Sequence, residues 1–438
     1  MFRNGAFSPF LPFLFFIVVL IAPLSLSAAP FALGADVSWL PQMEALGYSF
    51  YNDAGVRQDC IQILKDHGIN TIRLRVWVNP SNNIYNGHCS KAETVVMAKR
   101  AAAMGFRIMI DFHYSDSWAD PGQQTKPAAW SSHGISQLIT DVYDHTYDVL
   151  DSLKSAGIIP EWVQVGNETN DGMLWEDGRA SANMGSFASL VTSGCNAVKA
   201  VDSSIKVIVH ISNGYDNALF RWIFDGLKTN SARYDVIGMS LYPASGNWST
   251  LTGQCLTNMN DMVSRYGKQV MICEVGMAYT AAQACKDMLT DLISKTKSVS
   301  GNSGLGVFYW EPECYNWNGY NLGAWNTNGR PTIALDAFLT GTLVSHPLSG
   351  SLQTPGFLRI AADPVASALT IYYRVQSAGH VSLSIVDIQG KKTATIMRKS
   401  LQPGTYTTTW KTGGFAAGRY YCSMQSTGGR SYEAFCIK

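Results

Sequence analysis

Eight short apolar runs recur between residues 31 and 312, and helix-like stretches separate most of them. They are FALGADVSW (31–39), TIRLRVW (71–77), RIMIDFHY (107–114), WVQVGNE (162–168), KVIVHISN (206–213), DVIGMSLYP (235–243), QVMICEVGMAY (269–279) and GVFYWEP (306–312). Strands that are apolar throughout belong to parallel sheets whose two faces are both covered. The intervening patterns predict helices over 56–68, 91–105, 136–156, 182–201, 253–266 and 280–295. An open doubly wound sheet is the competing arrangement. Two features favour a closed (β/α)8 TIM barrel: the count of eight, and the polar and aromatic residues at nearly every strand's C-terminal end. In such barrels that rim carries the active site. No GxGxxG follows the first strand, so a nucleotide-binding sheet lacks its main support.

The flanks read differently. Residues 1–29 place Arg3 before an apolar run from Pro9 to Leu24, then the small residues Ser25 to Ala29. That is the layout of a secretory signal peptide, with the barrel expected over 30–344. The export it implies makes the protein secreted or bound to a bacterial cell surface, with no membrane span after cleavage. Residues 345–356 (SHPLSGSLQTPG) read as a linker, and 357–438 as a C-terminal β-sandwich built from short alternating segments. Nine cysteines form no CxxC and no Cys/His cluster, so no zinc site is expected. Cys422 and Cys436 flank Gly428-Gly429; a hairpin turning there would place them opposite each other, a candidate disulfide. Charged residues are only 15% and the net charge is +1, which argues against nucleic-acid binding.

Two glutamates stand at matching places. Glu168 ends the fourth strand directly after Asn167, and Glu274 lies near the end of the seventh. Carboxyls on apolar strands are costly to bury without a purpose. Facing across the ring they could protonate a leaving oxygen and attack an anomeric carbon, or they could be structural ion pairs. Arg73 and Arg75 alternate on strand two, so both point inward, where an arginine can keep a glutamate ionised. His113 closes strand three beside Asp116 and Trp118, and Tyr242 near the end of strand six could hydrogen-bond Glu274. Asn213 and Asp216 after strand five are candidate hydroxyl binders. Trp39, Trp77, Trp118, Trp175, Trp310, Trp317 and Trp325 gather at strand ends, where two or three could stack on sugar rings. Cys273 adjoins Glu274, and strict alternation would send it outward to the helices.

Over 31–343 the chain resembles the endo-β-1,4-galactanases of glycoside hydrolase family 53. The resemblance rests on NTIRLRVWVNP (70–80), IDFHYSDSWADPGQQTKPAAW (110–130), VGNETNDGMLWEDGR (165–179) and GVFYWEP (306–312). It implies retaining cleavage inside β-1,4-galactan chains of pectin, with Glu168 as acid/base and Glu274 as nucleophile. Asn167 would bind the 2-hydroxyl of the reacting sugar, and Arg73, His113 and Tyr242 would support the nucleophile. Several bacterial members bind calcium after strand seven, but 280–304 has no oxygen-rich cluster, so no metal or cofactor is expected. The expected partner is the polysaccharide, the expected state a monomer. Another retaining barrel glycanase (mannanase, xylanase or glucanase) and a non-catalytic sugar-binding module are the alternatives. LxxGxY (401–406) and GRYYCSMQSTGG (418–429) resemble bacterial domains that direct exported proteins to the outer surface.

Overall fold

The computed structural model describes residues 1, 30–81, 88–339, 358–363, 368–375, 377–387, 391–415, 418–427 and 429–437. The expected signal peptide and linker lie outside them. The eight apolar runs form β1 (Ala32–Asp36), β2 (Thr71–Val76), β3 (Arg107–Phe112), β4 (Trp162–Val165), β5 (Lys206–Ile211), β6 (Val236–Leu241), β7 (Gln269–Val275) and β8 (Gly304–Trp310). All neighbours are parallel, in chain order, and β8 pairs back onto β1 to close the barrel. The helices are α1 (Leu40–Ala45), α2 (Cys60–Asp66), α3 (Lys91–Ala103), α4 (Ile135–Ser155), α5 (Met184–Val201), α6 (Asn217–Thr229), α7 (Trp248–Tyr266) and α8 (Ala282–Lys297). Local chemistry sets several of their ends. Ser90 and Glu93 form a reciprocal capping box on α3, Asp59 caps α2, and Gly267 ends α7 at a φ of 64°. Helices α1 and α6 have no counterpart in the stretches expected from sequence. No helix among the described residues is long and apolar enough to cross a membrane.

The barrel interior is divided into an apolar floor and a polar top. Ala32, Met109, Trp162, Ile208, Val236, Met271, Cys273 and Phe308 make the floor. The Phe308 ring lies against Gly34, where an added Cβ would fall 2.1 Å from Cδ1. One residue departs from alternation. Met239 of β6 pairs with Ile272, but Ser240 pairs with Glu274, so β7 carries an extra residue, a bulge. Cys273 therefore joins the apolar floor instead of facing the helices, and the next residue, Glu274, also points inward.

The C-terminal segment forms two antiparallel sheets. One has the order β13 (Gly404–Lys411), β10 (Ala368–Val375), β9 (Leu358–Asp363). The other has the order β12 (Lys392–Leu401), β11 (Gly379–Asp387), β14 (Gly418–Ser426), β15 (Gly429–Ile437). Leu369, Ile371 and Tyr373 from one sheet and Val381, Leu383, Ile385 and Met424 from the other share one core, which makes a sandwich. The proposed disulfide does not form. The β14–β15 hairpin closes with Ser426 opposite Gly429, so Cys422 meets Glu433 and Cys436 meets Arg419. The two cysteines are three rungs apart, roughly 10 Å along the strands, beyond disulfide reach. Cys422 is a buried free thiol.

Candidate active site

The polar top begins where apolar strands end in an inward polar residue: Asp36 on β1, Arg73 and Arg75 on β2, Asp111 on β3, Gln164 on β4, His210 on β5, Ser240 on β6 and Glu274 on β7. Beyond them the backbone turns sharply. Tyr114, Glu168, Asn213 and Glu311, which follow β3, β4, β5 and β8, all have φ between 43° and 54°. This left-handed region is costly for residues with a Cβ and gathers where surrounding structure imposes it.

Arg73 is the hub, and none of its side chain is exposed. Its Nη1 donates to Asp36 at 2.5 Å, and its Nε to Gln164 Oε1 at 2.7 Å. Its Nη2 is shared among Asp111 at 2.9 Å, Asn167 Oδ1 at 3.1 Å and Glu274 Oε1 at 2.8 Å. The other oxygen of Glu274 accepts from the Tyr242 hydroxyl at 2.9 Å. Half-buried Glu168 has the Ser240 side chain beside it, which eases the cost of its burial. Burial raises both glutamate carboxyls, and Glu168 raises Glu274 further by charge repulsion. Such a pair sheds its protons in separate steps. The guanidinium and the phenol that donate to Glu274 favour the anion there, support that Glu168 lacks.

His113 accepts the Ala119 N–H on Nδ1 at 3.0 Å, which leaves Nε2 to donate to Asp111 at 3.0 Å. Burial lowers its pKa, so the ring is neutral at pH 7. It supports Glu274 only indirectly, through Asp111 and then Arg73. His210 is likewise held neutral by burial, lowered to about 3, between Asn167 Oδ1 at 2.9 Å and Ser240 Oγ at 2.8 Å. Asn167 Nδ2 donates to the Ala119 carbonyl at 2.9 Å.

Above the carboxyls lies an aromatic floor. Trp39 packs on Trp310 at 5.0 Å, on Trp118 at 5.4 Å and on Tyr320 at 5.4 Å. Trp39, Trp118 and Trp310 keep part of their surface open. Arg75 does not reach Glu274. It donates to Glu311 at 2.5 Å, with its Cζ 4.3 Å from the Trp118 ring centre.

This arrangement supplies a carboxyl held by two donors, a second carboxyl without such donors, and a flat aromatic surface beside them. Those are the parts glycosidic cleavage requires. Residues 32–338, about 70% of the chain, match the family model for glycosyl hydrolase family 53. The chain belongs to glycosyl hydrolase family 53. It is 35% identical over 314 residues to a probable arabinogalactan endo-β-1,4-galactanase A of Aspergillus terreus, covering 67% of this chain and 88% of that protein. It is 34% identical over 304 residues to an arabinogalactan endo-β-1,4-galactanase of Thermothelomyces thermophilus, covering 64% and 88%. Among solved structures, the family 53 catalytic domain of Ignisphaera aggregans superposes with a TM-score of 0.65 at 31% identity, covering 71% of this chain and 96% of that one.

Within this family 53 site, the structure brings Arg73, Asn167, Glu168, Tyr242 and Glu274 together and sends other sequence candidates elsewhere. Asp116 braces a loop, accepting the Asn79 and Ala128 N–H groups. Asp216 caps α6 through the Leu219 N–H. Asn213 is exposed. Trp325 is fully buried, edge-on to Phe50, and offers no face to a sugar; Trp77 and Trp317 are buried too. Sequence reasoning passed over Asp36, Gln164, Ser240, Glu311 and Glu313. The usable signal was a polar residue at the last inward position of an apolar strand, which marks the first three.

Proposed function

We propose that this family 53 enzyme is a retaining endo-β-1,4-galactanase acting on galactan and arabinogalactan chains. The observation that carries the division of labour is the unequal support of the two carboxyls. Glu274, held by Arg73 and Tyr242, is the nucleophile; Glu168, offered only the Ser240 hydroxyl, is the acid. In the first step a Glu274 oxygen bonds to the anomeric carbon while Glu168 gives its proton to the departing glycosidic oxygen. Esterification removes the charge on Glu274, so the Glu168 pKa falls and Glu168 becomes the base. It then takes a proton from water as that water attacks the anomeric carbon and Glu274 leaves. Asn167, fixed by Arg73, Ala119 and His210, stands beside the acid to meet a sugar hydroxyl. Trp39, Trp118 and Trp310 supply stacking surface for neighbouring rings.

The galactanase names of the relatives support this substrate, and the N-terminal apolar run supports an exported enzyme. The experiment uses Glu274→Gly and Glu168→Ala with an activated aryl β-galactoside. Azide should rescue the first to an α-azide and the second to a β-azide; the opposite configurations would reverse the assignment. A parallel panel of galactan, mannan, xylan and cellulose tests the substrate. Reducing ends released from mannan or cellulose but not galactan would end the galactanase reading.

A further inference from the structure

Behind the aromatic floor lies a second acid pair that the mechanism above does not use. Glu311, Glu313 and Cys314 follow β8, are fully or almost fully buried, and bring their side-chain ends within 4.8 Å of one another. Glu311 is well supplied with donors. Arg75 Nη1 reaches its Oε1 at 2.5 Å, and the Trp39 backbone N–H reaches Oε1 at 3.1 Å and Oε2 at 3.0 Å. Glu313 has no exposed surface, and neither of its oxygens meets a donor among the described residues.

A buried carboxylate without a donor or counter-charge is a conformation that protonation relieves. The titratable groups around Glu313 offer it no positive charge, and both thiols among them are kept neutral by burial. Glu311 and Cys314 face it from its own loop, Cys60 from the start of α2, and Asp36 from β1. The nearby cation, Arg75, is already committed to Glu311, with Asp36 4.0 Å away. As a neutral acid Glu313 gains what it lacks: its O–H donates to Glu311, which has a lone pair to accept it. Burial and the Glu311 charge both push the Glu313 carboxyl well above its ordinary range, in keeping with this.

We propose that Glu313 is a positioning residue, a buried carboxylic acid whose proton anchors Glu311 and thereby fixes the Trp39 backbone and the Arg75 guanidinium that packs against the substrate-binding indoles. The path is short. Glu311 holds the Trp39 backbone and the Arg75 guanidinium together, and Arg75 Cζ lies 5.2 Å from the Trp39 ring centre, 5.7 Å from that of Trp77 and 4.3 Å from that of Trp118. A fixed cation against the indoles sets their tilt, and so the shape of the floor a sugar would meet. The link to substrate rests on the galactanase reading; the protonation of Glu313 does not.

The test uses the full chain with two substitutions. Glu313→Gln keeps a neutral donor, and Glu313→Leu removes it. The infrared difference between wild type and Glu313→Gln should contain the C=O band of one carboxylic acid, displaced in D2O. On short β-1,4-galacto-oligosaccharides, Glu313→Leu should raise KM about tenfold with kcat changed far less, the effect of one lost hydrogen bond to a charged group. Glu313→Gln should restore KM, and tryptophan fluorescence should shift in the Leu variant alone. Absence of the acid band would overturn the proposal, whether or not Glu313→Leu folds. So would a Glu313→Gln variant as impaired as Glu313→Leu, or a stoichiometric metal ion in the wild type that Glu313→Gln loses. A wild type with no activity on galactan would instead refute the substrate reading and leave the infrared result standing.

Discussion

Replacing Tyr242 by Phe removes one oxygen atom and one bond to Glu274. The hydroxyl donates to Oε2 at 2.9 Å, while Arg73 keeps its hold on Oε1 at 2.8 Å. Tyr242 is 38% exposed, so the change opens no buried void and the fold should be unaffected. A hydrogen bond to a charged group contributes about 1.5–3 kcal/mol, and one pKa unit corresponds to about 1.4 kcal/mol. The lost bond stabilised the ionised form, so the Glu274 pKa must rise, by about one to two units on this arithmetic. Attack needs the anion. The acidic limb of kcat/KM against pH should therefore move to higher pH by that amount, and activity at a fixed pH on that limb should fall about tenfold per unit of displacement. The alkaline limb follows the proton on Glu168 and should move much less, though the two limbs belong to a coupled pair. Initial rates of reducing-end release from a short galacto-oligosaccharide, measured from acid to alkaline pH, give both limbs. A uniform loss of kcat/KM with both limbs in place would refute the reasoning, because the hydroxyl would then be acting on something other than the Glu274 charge.

Burial alone would raise the Asp111 carboxyl, but Arg73 and His113 beside it outweigh that and hold it below its usual range, so its stabilising effect is complete above about pH 4 and is lost as pH falls through the lower folded value. Urea midpoints should drop on that acid side in the wild type and drop less in Asp111→Asn. Glu313 has the opposite sign: its raised pKa favours the fold at low pH, and stability is lost at about 1.4 kcal/mol per pH unit as pH rises above its unfolded value of about 4.3. Glu313→Gln should flatten this alkaline decline in urea midpoint; an unchanged slope would show that Glu313 is ionised. Gly34→Ala drives a methyl group into the Phe308 ring and should cost about 1–3 kcal/mol, read as a lower Tm. Non-reduced digests should contain no Cys422–Cys436 peptide pair, and Cys422 should alkylate only after unfolding.

The repeating unit of the barrel was legible because burial on both faces leaves a mark on every residue of a parallel strand. Glu168 and Glu274 were legible for the converse reason, as carboxyls in apolar runs need an explanation. So was the Arg73 and Tyr242 support of Glu274. What the chain alone did not reveal depends on which strands become neighbours and in what register. Arg75 is inward by alternation, yet closure of the ring brings it to Glu311 after β8 and not to Glu274. Cys273 and Glu274 both face inward because β7 bulges against β6, an irregularity that pairing imposes on an otherwise regular strand. Cys422 and Cys436 were misjudged by the placing of one hairpin turn, since a shift of the turn moves every rung beyond it. Sequence periodicity determines which face of a strand is buried; only the closed sheet decides what each buried side chain meets there.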